Sequence, residues 1–102
     1  MNITIREEGN CIIVKFEGRL DTVAAEKAKK ELDPLYNNTG HDVTIDCEQL
    51  EYISSSGLRI LLSIRKAAAI SGNKVTILNI SSDIEKVFAM TGFDTLFDIQ
   101  KK

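Results

Sequence analysis

The sequence predicts a single α/β domain over residues 1–102, a mixed sheet of four to five strands that is mostly parallel, with an antiparallel edge hairpin and crossover helices. Short runs rich in β-branched residues alternate with longer segments whose apolar residues recur at helical spacing. The first two β-branched runs follow one another directly, as the strands of a hairpin do. The length suits one hydrophobic core.

The opening hairpin is predicted from two strand-like runs, Ile3–Ile5 and Cys11–Phe16. Gly9 and Asn10 stand between them, and both residue types tolerate the positive φ angles of tight hairpin turns. The pair therefore supplies the antiparallel edge of the sheet.

The first helix is predicted from Thr22 to about Tyr36, because the period of the apolar residues changes there to a helical one. Glu26 and Lys30 add a favourable pair of opposite charges one turn apart. The polar segment Asn37–Gly40 is the predicted stop. The apolar face of this helix consists of Ala24, Ala28, Leu32 and Leu35.

The middle of the chain repeats the alternation of strand and helix. Asp42–Asp46 predicts a short third strand, and Lys74–Leu78 predicts a fourth. Between them, the segment from Ser54 to Gly72 predicts the second helix, which the glycine ends.

The C-terminal segment adds a short third helix. Ser81 or Ser82 is its predicted cap, and Gly92 is its predicted end. Thr95–Ile99 predicts a weak last strand or a turn.

Polar residues are expected to collect at one edge of the sheet, because right-handed crossovers bring the carboxyl ends of parallel strands together. Asp21 ends the second predicted strand, Asp46 ends the third, and Asn79–Ser82 follow the fourth. The serine turn, Ser54–Ser56, is expected beside them. Open α/β sheets usually hold their sites at this edge.

Composition excludes several classes of function. A net charge of −2 and a pI near 5.4 argue against nucleic-acid binding, which depends on clustered Lys and Arg. Cys11 and Cys47 lack metal-ligand spacing and are expected to be small buried hydrophobic residues in a reduced compartment. With no signal sequence and no apolar run long enough to cross a bilayer, we expect a cytoplasmic protein without membrane insertion or cofactor.

The serine turn can be explained by helix capping alone, because a serine oxygen accepts a hydrogen bond from an orphan backbone N–H group. A capping box would add Glu or Gln three positions later, but Gly57, Leu58 and Arg59 occupy the candidate positions. The positive end of the helix therefore has no acid of its own and can receive an anion. A phosphate on one of these serines is not expected to melt the helix.

The second helix is more apolar than a helix that covers one sheet needs to be. Arg59, Ser63 and Lys66 leave only a narrow polar stripe. The excess has two explanations, burial against neighbouring helices or an exposed flank for a protein partner. The main apolar face contains Leu58, Leu61, Leu62, Ala68 and Ala69, and Ile60, Ile64 and Ala67 widen it.

Catalysis finds little support. A nucleophilic serine needs a base, and His41 precedes the third strand, at the opposite, amino edge of the sheet. No G-x-S-x-G motif and no glycine-rich phosphate loop is present. Asp21 and Asp46 are a weak signal for a metal, and capping of the first helix and fixing of the loop after the third strand explain them better.

Three segments, in order, resemble the STAS domain family, and most closely its single-domain bacterial anti-sigma factor antagonists. The family's passage from a Gly-x-Leu-Asp tetrad into the first helix is similar to FEGRLDTVAAEKAKKEL. Its signature, a strand and an Asp followed by Asp-Ser-Ser-Gly-Leu at a helix start, is similar to VTIDCEQLEYISSSGLRILL. Its third-helix segment is similar to ISSDIEKVFAMTGFDTLFDI.

The resemblance implies a phosphorylation switch rather than an enzyme. In the family, the unphosphorylated antagonist binds an anti-sigma factor that is also a serine kinase, phosphorylation breaks the complex, and a metal-dependent serine phosphatase reverses it. Alignment on Ser-Ser-Gly-Leu implies Ser55 as the acceptor, ahead of Ser54 and Ser56. The residues implied to bind the partner are Asp21, Asp46, Ser54, Ser55, Ser56, Gly57, Leu58, Arg59 and Ile60.

One departure from the family leaves other functions open. Ser54 stands where the family carries the aspartate before the acceptor. An alternative hypothesis is therefore that the chain is a non-phosphorylated structural STAS subunit of a transporter or another signalling complex. A small enzyme with Ser55 as nucleophile is a third hypothesis, opposed by the lack of a nearby base.

Overall fold

The computed structural model describes residues 1–37 and 40–101. Its elements in chain order are β1 (Asn2–Glu8), β2 (Cys11–Leu20), α1 (Thr22–Glu31), α2 (Asp33–Asn37), β3 (Asp42–Ile53), α3 (Ser55–Ile70), β4 (Val75–Ile80), α4 (Ser82–Thr91), a 3-10 turn (Phe93–Thr95) and β5 (Asp98–Lys101). The sheet has five strands in the order β1-β2-β3-β4-β5, with β1 antiparallel to β2 and the other pairs parallel. The predicted mixed sheet with an antiparallel edge hairpin is confirmed.

The first predicted helix is wrong in one respect, because it is two helices. α1 ends at Glu31, Leu32 caps it, and α2 begins at Asp33. Pro34 explains the break, since a proline inside a helix removes a backbone donor and clashes with the carbonyl one turn earlier. In the first turn of α2 the missing N–H group carries no penalty. The predicted stop at 37–40 includes residues 38 and 39, which lie outside the described residues.

The third strand is longer than predicted, and Asp46 does not end it. β3 pairs with β4 only as far as Asp46, which lies opposite Leu78, but it continues beside β2 as far as Ile53. Two register shifts interrupt the pairing of β2 and β3, and Gly18 adopts a φ of 104° at the second. These irregularities change the spacing of buried residues along β3 from two to three, so the alternation that identifies a strand is lost.

The helices cover one face of the sheet. Inward-facing residues of β2, β3 and β4 join the helices in one core, while their neighbours on the other face are partly exposed. The apolar flank of α3 belongs to this core, since Ile60, Ile64 and Ala67 are buried. Packing against α1 and α2 therefore explains the excess of apolar residues, and the alternative of an exposed flank is wrong.

The two cysteines differ. Cys47 is buried as expected, and burial raises the pKa of its thiol to about 12, with the charge of Asp46 adding to the effect. The expectation for Cys11 is wrong, because this residue lies on the open face of the sheet and is only half-buried, with its Sγ atom 3.4 Å from the Thr44 Oγ1 atom. Within the described part of the chain, none of the helices has the length and apolar character needed to cross a membrane.

Candidate functional site

Three strands end at one edge of the sheet, and each leads through a capping residue into a helix. Asp21 follows β2, Ser54 follows β3 and Ser81 follows β4. Of the two candidates for the last cap, Ser81 is the one the chain uses. In each case the side-chain oxygen accepts a hydrogen bond from the backbone N–H group three residues later, that of Ala24 at 2.8 Å, of Gly57 at 3.1 Å and of Ile84 at 3.3 Å.

Ser54 uses its hydroxyl twice. The Oγ atom accepts from the Gly57 N–H group and donates to the Leu20 carbonyl oxygen at 3.1 Å. The backbone N–H group of Ser54 donates to the same carbonyl at 2.9 Å. The residue therefore ties the end of β2 to the start of α3, and its hydroxyl proton is already engaged.

Gly57 explains why the helix lacks a capping box. A Cβ atom at this position would come within 2.8 Å of the Leu20 carbonyl oxygen, and equally close to side-chain atoms of Leu20 and Ile53. Real Cβ atoms do not approach backbone so closely, so the acid of a capping box cannot occupy the position. The close approach of α3 to β2 leaves the positive end of this helix without an acidic side chain.

Ser55 is the open hydroxyl of the three. It is the first residue of α3, it is exposed, and its side chain makes no hydrogen bond to the described residues. Ser56 is half-buried and faces toward α1. A substituent on Ser55 can therefore extend into solvent without breaking a contact of the fold, and an anionic one lies next to orphan N–H groups.

The other predicted partner-binding residues divide into exposed and buried ones. Arg59 is exposed on α3, and Asp21 is half-exposed beside Ser54, as the register of Leu20 with Ile53 requires. Gly57, Leu58 and Ile60 are buried. These three residues therefore do not contact a partner directly, and they contribute only by supporting the exposed residues around them.

Asp46 does not lie beside the serine turn. It precedes Ser54 by eight residues of β3, which is roughly 20–25 Å along a strand. Its Oδ1 atom accepts from the Glu48 N–H group at 3.0 Å and from the Asn79 Nδ2 atom at 3.4 Å. Asn79 lies at the bulge between Leu78 and Ile80 and has a φ of 59°, so Asp46 braces a left-handed backbone position near the end of β4.

Two features near the turn escaped the sequence analysis. The Arg19 guanidinium lies over the Tyr52 ring, 4.3 Å from its centroid, and Tyr52 is 40% exposed. Val23, on the first turn of α1, is 69% exposed. Their spacing along the chain carries no signal, because only the register of β2 with β3 brings Arg19 to Tyr52.

A groove of about 910 Å³ lies between α1, α2 and α3 and opens beside the turn. We call it the α1–α3 groove. Its wall includes the hydroxyl-bearing residues Thr22, Ser56 and Ser63, the charged residues Glu26, Lys29, Lys30, Asp33 and Arg59, and Ala25, Tyr36 and Ile60.

Comparison with known proteins agrees with this fold. The STAS domain profile matches residues 2–102, so the chain belongs to the STAS domain family. The anti-sigma-B factor antagonist of Bacillus subtilis (strain 168) is 26% identical over 102 residues, which are 100% of this chain and 93% of that protein.

Solved structures show the same fold. An anti-sigma factor antagonist from Mycobacterium paratuberculosis has a TM-score of 0.87 at 17% identity, over 99% of this chain and 86% of that one. SpoIIAA in its unphosphorylated form has a TM-score of 0.76 at 16% identity, over 99% of this chain and 89% of that one. The phosphorylated form of SpoIIAA from Bacillus has a TM-score of 0.74 at 17% identity, over 99% and 93%.

Proposed function

We propose that this chain is a cytoplasmic anti-sigma factor antagonist, which binds an anti-sigma factor with serine kinase activity and is released when Ser55 is phosphorylated. The family membership and the relatives named as anti-sigma factor antagonists support the antagonist role. Such antagonists are regulatory proteins and not enzymes. In agreement, His41 precedes β3, at the opposite end of that strand from Ser55.

The assignment of Ser55 as the phosphorylation site rests on the different roles of the Ser54 and Ser55 hydroxyls. The Ser54 hydroxyl donates to Leu20 and accepts from Gly57, so phosphorylation there would remove a donor that ties β2 to α3. The Ser55 hydroxyl has no such task and is exposed. A kinase can therefore modify Ser55 without disturbing the fold.

The switch acts through charge. The kinase transfers the γ-phosphoryl group of ATP to the Ser55 oxygen, which loses its proton, and ADP leaves; a phosphatase returns serine and inorganic phosphate by adding water. The phosphate brings about −1.5 to −2 charges at neutral pH. In the free domain the positive end of α3, which has no acidic side chain in its first turn, accommodates this charge. At a desolvated interface an unpaired charge costs several kcal/mol, so the complex separates.

No refolding is required. The chain resembles SpoIIAA about equally in its unphosphorylated and phosphorylated forms, with TM-scores of 0.76 and 0.74. This similarity supports a switch in which the surface changes and the fold does not.

The test is incubation with the cognate anti-sigma kinase and ATP, followed by mass mapping of the modified peptide. We expect phosphate on Ser55. If all three serines of the turn remain unmodified, the switch is wrong. A paired binding measurement should give Ser55→Ala close to wild-type affinity and Ser55→Asp at least about 10-fold weaker; equal affinity of the two variants would rule out charge repulsion.

A second candidate is a structural STAS subunit of a transporter or another signalling complex. Ser54 in place of the family's aspartate favours it, because the local charge around the acceptor differs from that of the switching members. A pull-down from the native host separates the two, according to whether it recovers a serine kinase or a transporter ATPase subunit.

A further inference from the structure

We propose that the α1–α3 groove receives an acidic, amphipathic segment of the anti-sigma factor, so that the partner holds the chain at two adjoining places. The inference deepens the proposed function and rests on it. In this proposal the groove provides much of the affinity of the complex, and phosphorylation of Ser55 regulates whether the complex forms.

The serine turn is too small to hold a partner by itself. Of the residues predicted to bind, Gly57, Leu58 and Ile60 are buried, and Asp46 lies far along β3. A stable complex buries roughly 800 Å² on each partner. The interface must therefore extend beyond the turn, and the groove is continuous with it because Ser56 and Arg59 belong to both.

The charges of the groove specify an acidic occupant. Its wall carries three cations, Lys29, Lys30 and Arg59, and two carboxylates, which leaves a net charge of +1 in a chain whose net charge is −2. None of the three cations is in an ion pair with the described residues, where the pairs are Arg6–Glu8 and Lys101–Glu85. Unpaired cations around a concave surface attract a segment with carboxylates.

Tyr36 adds an independent observation. Its hydroxyl oxygen is buried, and the described residues offer it no hydrogen-bond partner. Burial, and the negative charge of Asp33, raise the pKa of this phenol, so it remains an O–H donor. A buried donor without an acceptor is costly, and most such groups in proteins find one. Because Tyr36 lines the groove, a rotation of its side chain would bring the O–H group within reach of a carboxylate or carbonyl oxygen of an incoming segment.

The floor of the groove explains why the occupant is amphipathic. Ala25 and Ile60 line it, and both belong to the hydrophobic core. An apolar side chain placed against them leaves water, while the carboxylates of the same segment meet the cations at the rim.

The experiment compares two charge reversals in the full chain, with affinity for the anti-sigma factor as the readout. Lys30→Glu alters the groove, and Lys86→Glu makes the same change on α4, outside it. We expect Lys30→Glu to weaken binding by about 10-fold at low salt, less at high salt, and Lys86→Glu by less than about twofold. Equal effects of the two variants would overturn the groove as the binding site.

Tyr36→Phe separates a binding role of the hydroxyl from a structural one. Removal of an unsatisfied buried group should leave the melting temperature unchanged or raised, while the lost hydrogen bond weakens the complex by about 3- to 10-fold. A lower melting temperature with unchanged affinity would contradict the proposal. If Ser55→Asp weakens binding but Lys30→Glu does not, the switch stands and the groove fails; the reverse pattern retains the groove and rejects the switch.

Discussion

Two helices of this domain start in almost the same way and differ in their charge. α3 and α4 both begin at the carboxyl edge of the sheet behind a serine cap, Ser54 or Ser81. The first turn of α4 contains Asp83 and Glu85, which balance the positive end of the helix. The first turn of α3 contains no acid.

A cap and a neutralised helix end are therefore separate properties of a helix. A serine oxygen satisfies one N–H group in both helices, but only α4 also places negative charge on its dipole. In α3 the position for such an acid is closed, because Gly57 touches the end of β2. The tight packing of α3 against β2 thus leaves the positive end of α3 without a balancing negative charge. We infer that a phosphate on Ser55 would supply that charge.

The largest effect is expected from Gly57→Ala, which tests whether packing excludes a side chain from this turn. The new Cβ atom would meet the Leu20 carbonyl at 2.8 Å and must displace the helix start. We expect a loss of about 2–3 kcal/mol in the free energy of unfolding, despite a gain of roughly 1 kcal/mol in helix propensity. Chemical denaturation measures it, with Ser56→Ala as control. A stabilised variant would show that the contact between Gly57 and Leu20 can accommodate a methyl group.

A smaller effect is expected when the two caps are removed in turn. Ser54→Ala loses a donor to Leu20 and an acceptor for Gly57, whereas Ser81→Ala loses one hydrogen bond of 3.3 Å. We expect losses of about 1–2 kcal/mol for the first and about 0.5–1 kcal/mol for the second. Thermal denaturation of both variants measures the gap. Equal losses would mean that the bond to Leu20 contributes nothing.

Replacing each cap residue with aspartate should increase the difference in stability between the two variants. At Ser81 it preserves the acceptor, so we expect little change. At Ser54 it cannot donate to the Leu20 carbonyl, and its charge faces an oxygen, so we expect a loss of about 1 kcal/mol at neutral pH. The protonated carboxyl can donate to the carbonyl, and this preference for the protonated form raises the pKa of the new carboxyl above its ordinary value of about 3.9. The deficit should therefore shrink as the pH falls toward about 4 and stay constant below it. A pH-independent deficit would contradict this cause.

The smallest effect compares the first residues of the two helices, Ser55 and Ser82. Ser55→Asp adds charge to an unbalanced helix end and should stabilise the free domain by about 0.3–1 kcal/mol at low salt. Ser82→Asp adds charge beside Asp83 and Glu85, so the gain should vanish or reverse. Unfolding at two salt concentrations checks both. Equal gains would remove the distinction between the helix ends.

Much of the fold could be predicted because its signals are local. Glycines and serines marked the limits of α3 and α4, and the change from strand to helix period identified most elements. The features that were predicted incorrectly depend on contacts between segments that are distant in the sequence. The extension of β3 to Ile53 depends on bulged pairing with β2, which no pattern within β3 reveals. The break at Pro34 was readable from the sequence, but the apolar face continues through it.

The site was predictable in part for the same reason. The serine turn and Asp21 are neighbours because they follow Ile53 and Leu20, which are paired at the ends of two parallel strands. Asp46 was expected with them only because β3 was taken to end there. The groove could not be predicted, since its cations lie on α1 and α3 and become a common surface only when those helices pack together.

The extension of β3 beyond its pairing with β4 has a consequence for access. β3 leaves β4 at Asp46 and continues with β2 for seven more residues to Ile53, so the start of α3 at Ser55 stands nine residues beyond the last pair of the β3–β4 ladder. Ser55 is therefore exposed at the far end of the β2–β3 ladder, away from β4. An exposed hydroxyl at the start of a helix can be approached by more than one enzyme without a change in the fold. Under the proposed switch, the kinase and the phosphatase would therefore reach the same oxygen from the same side of the molecule.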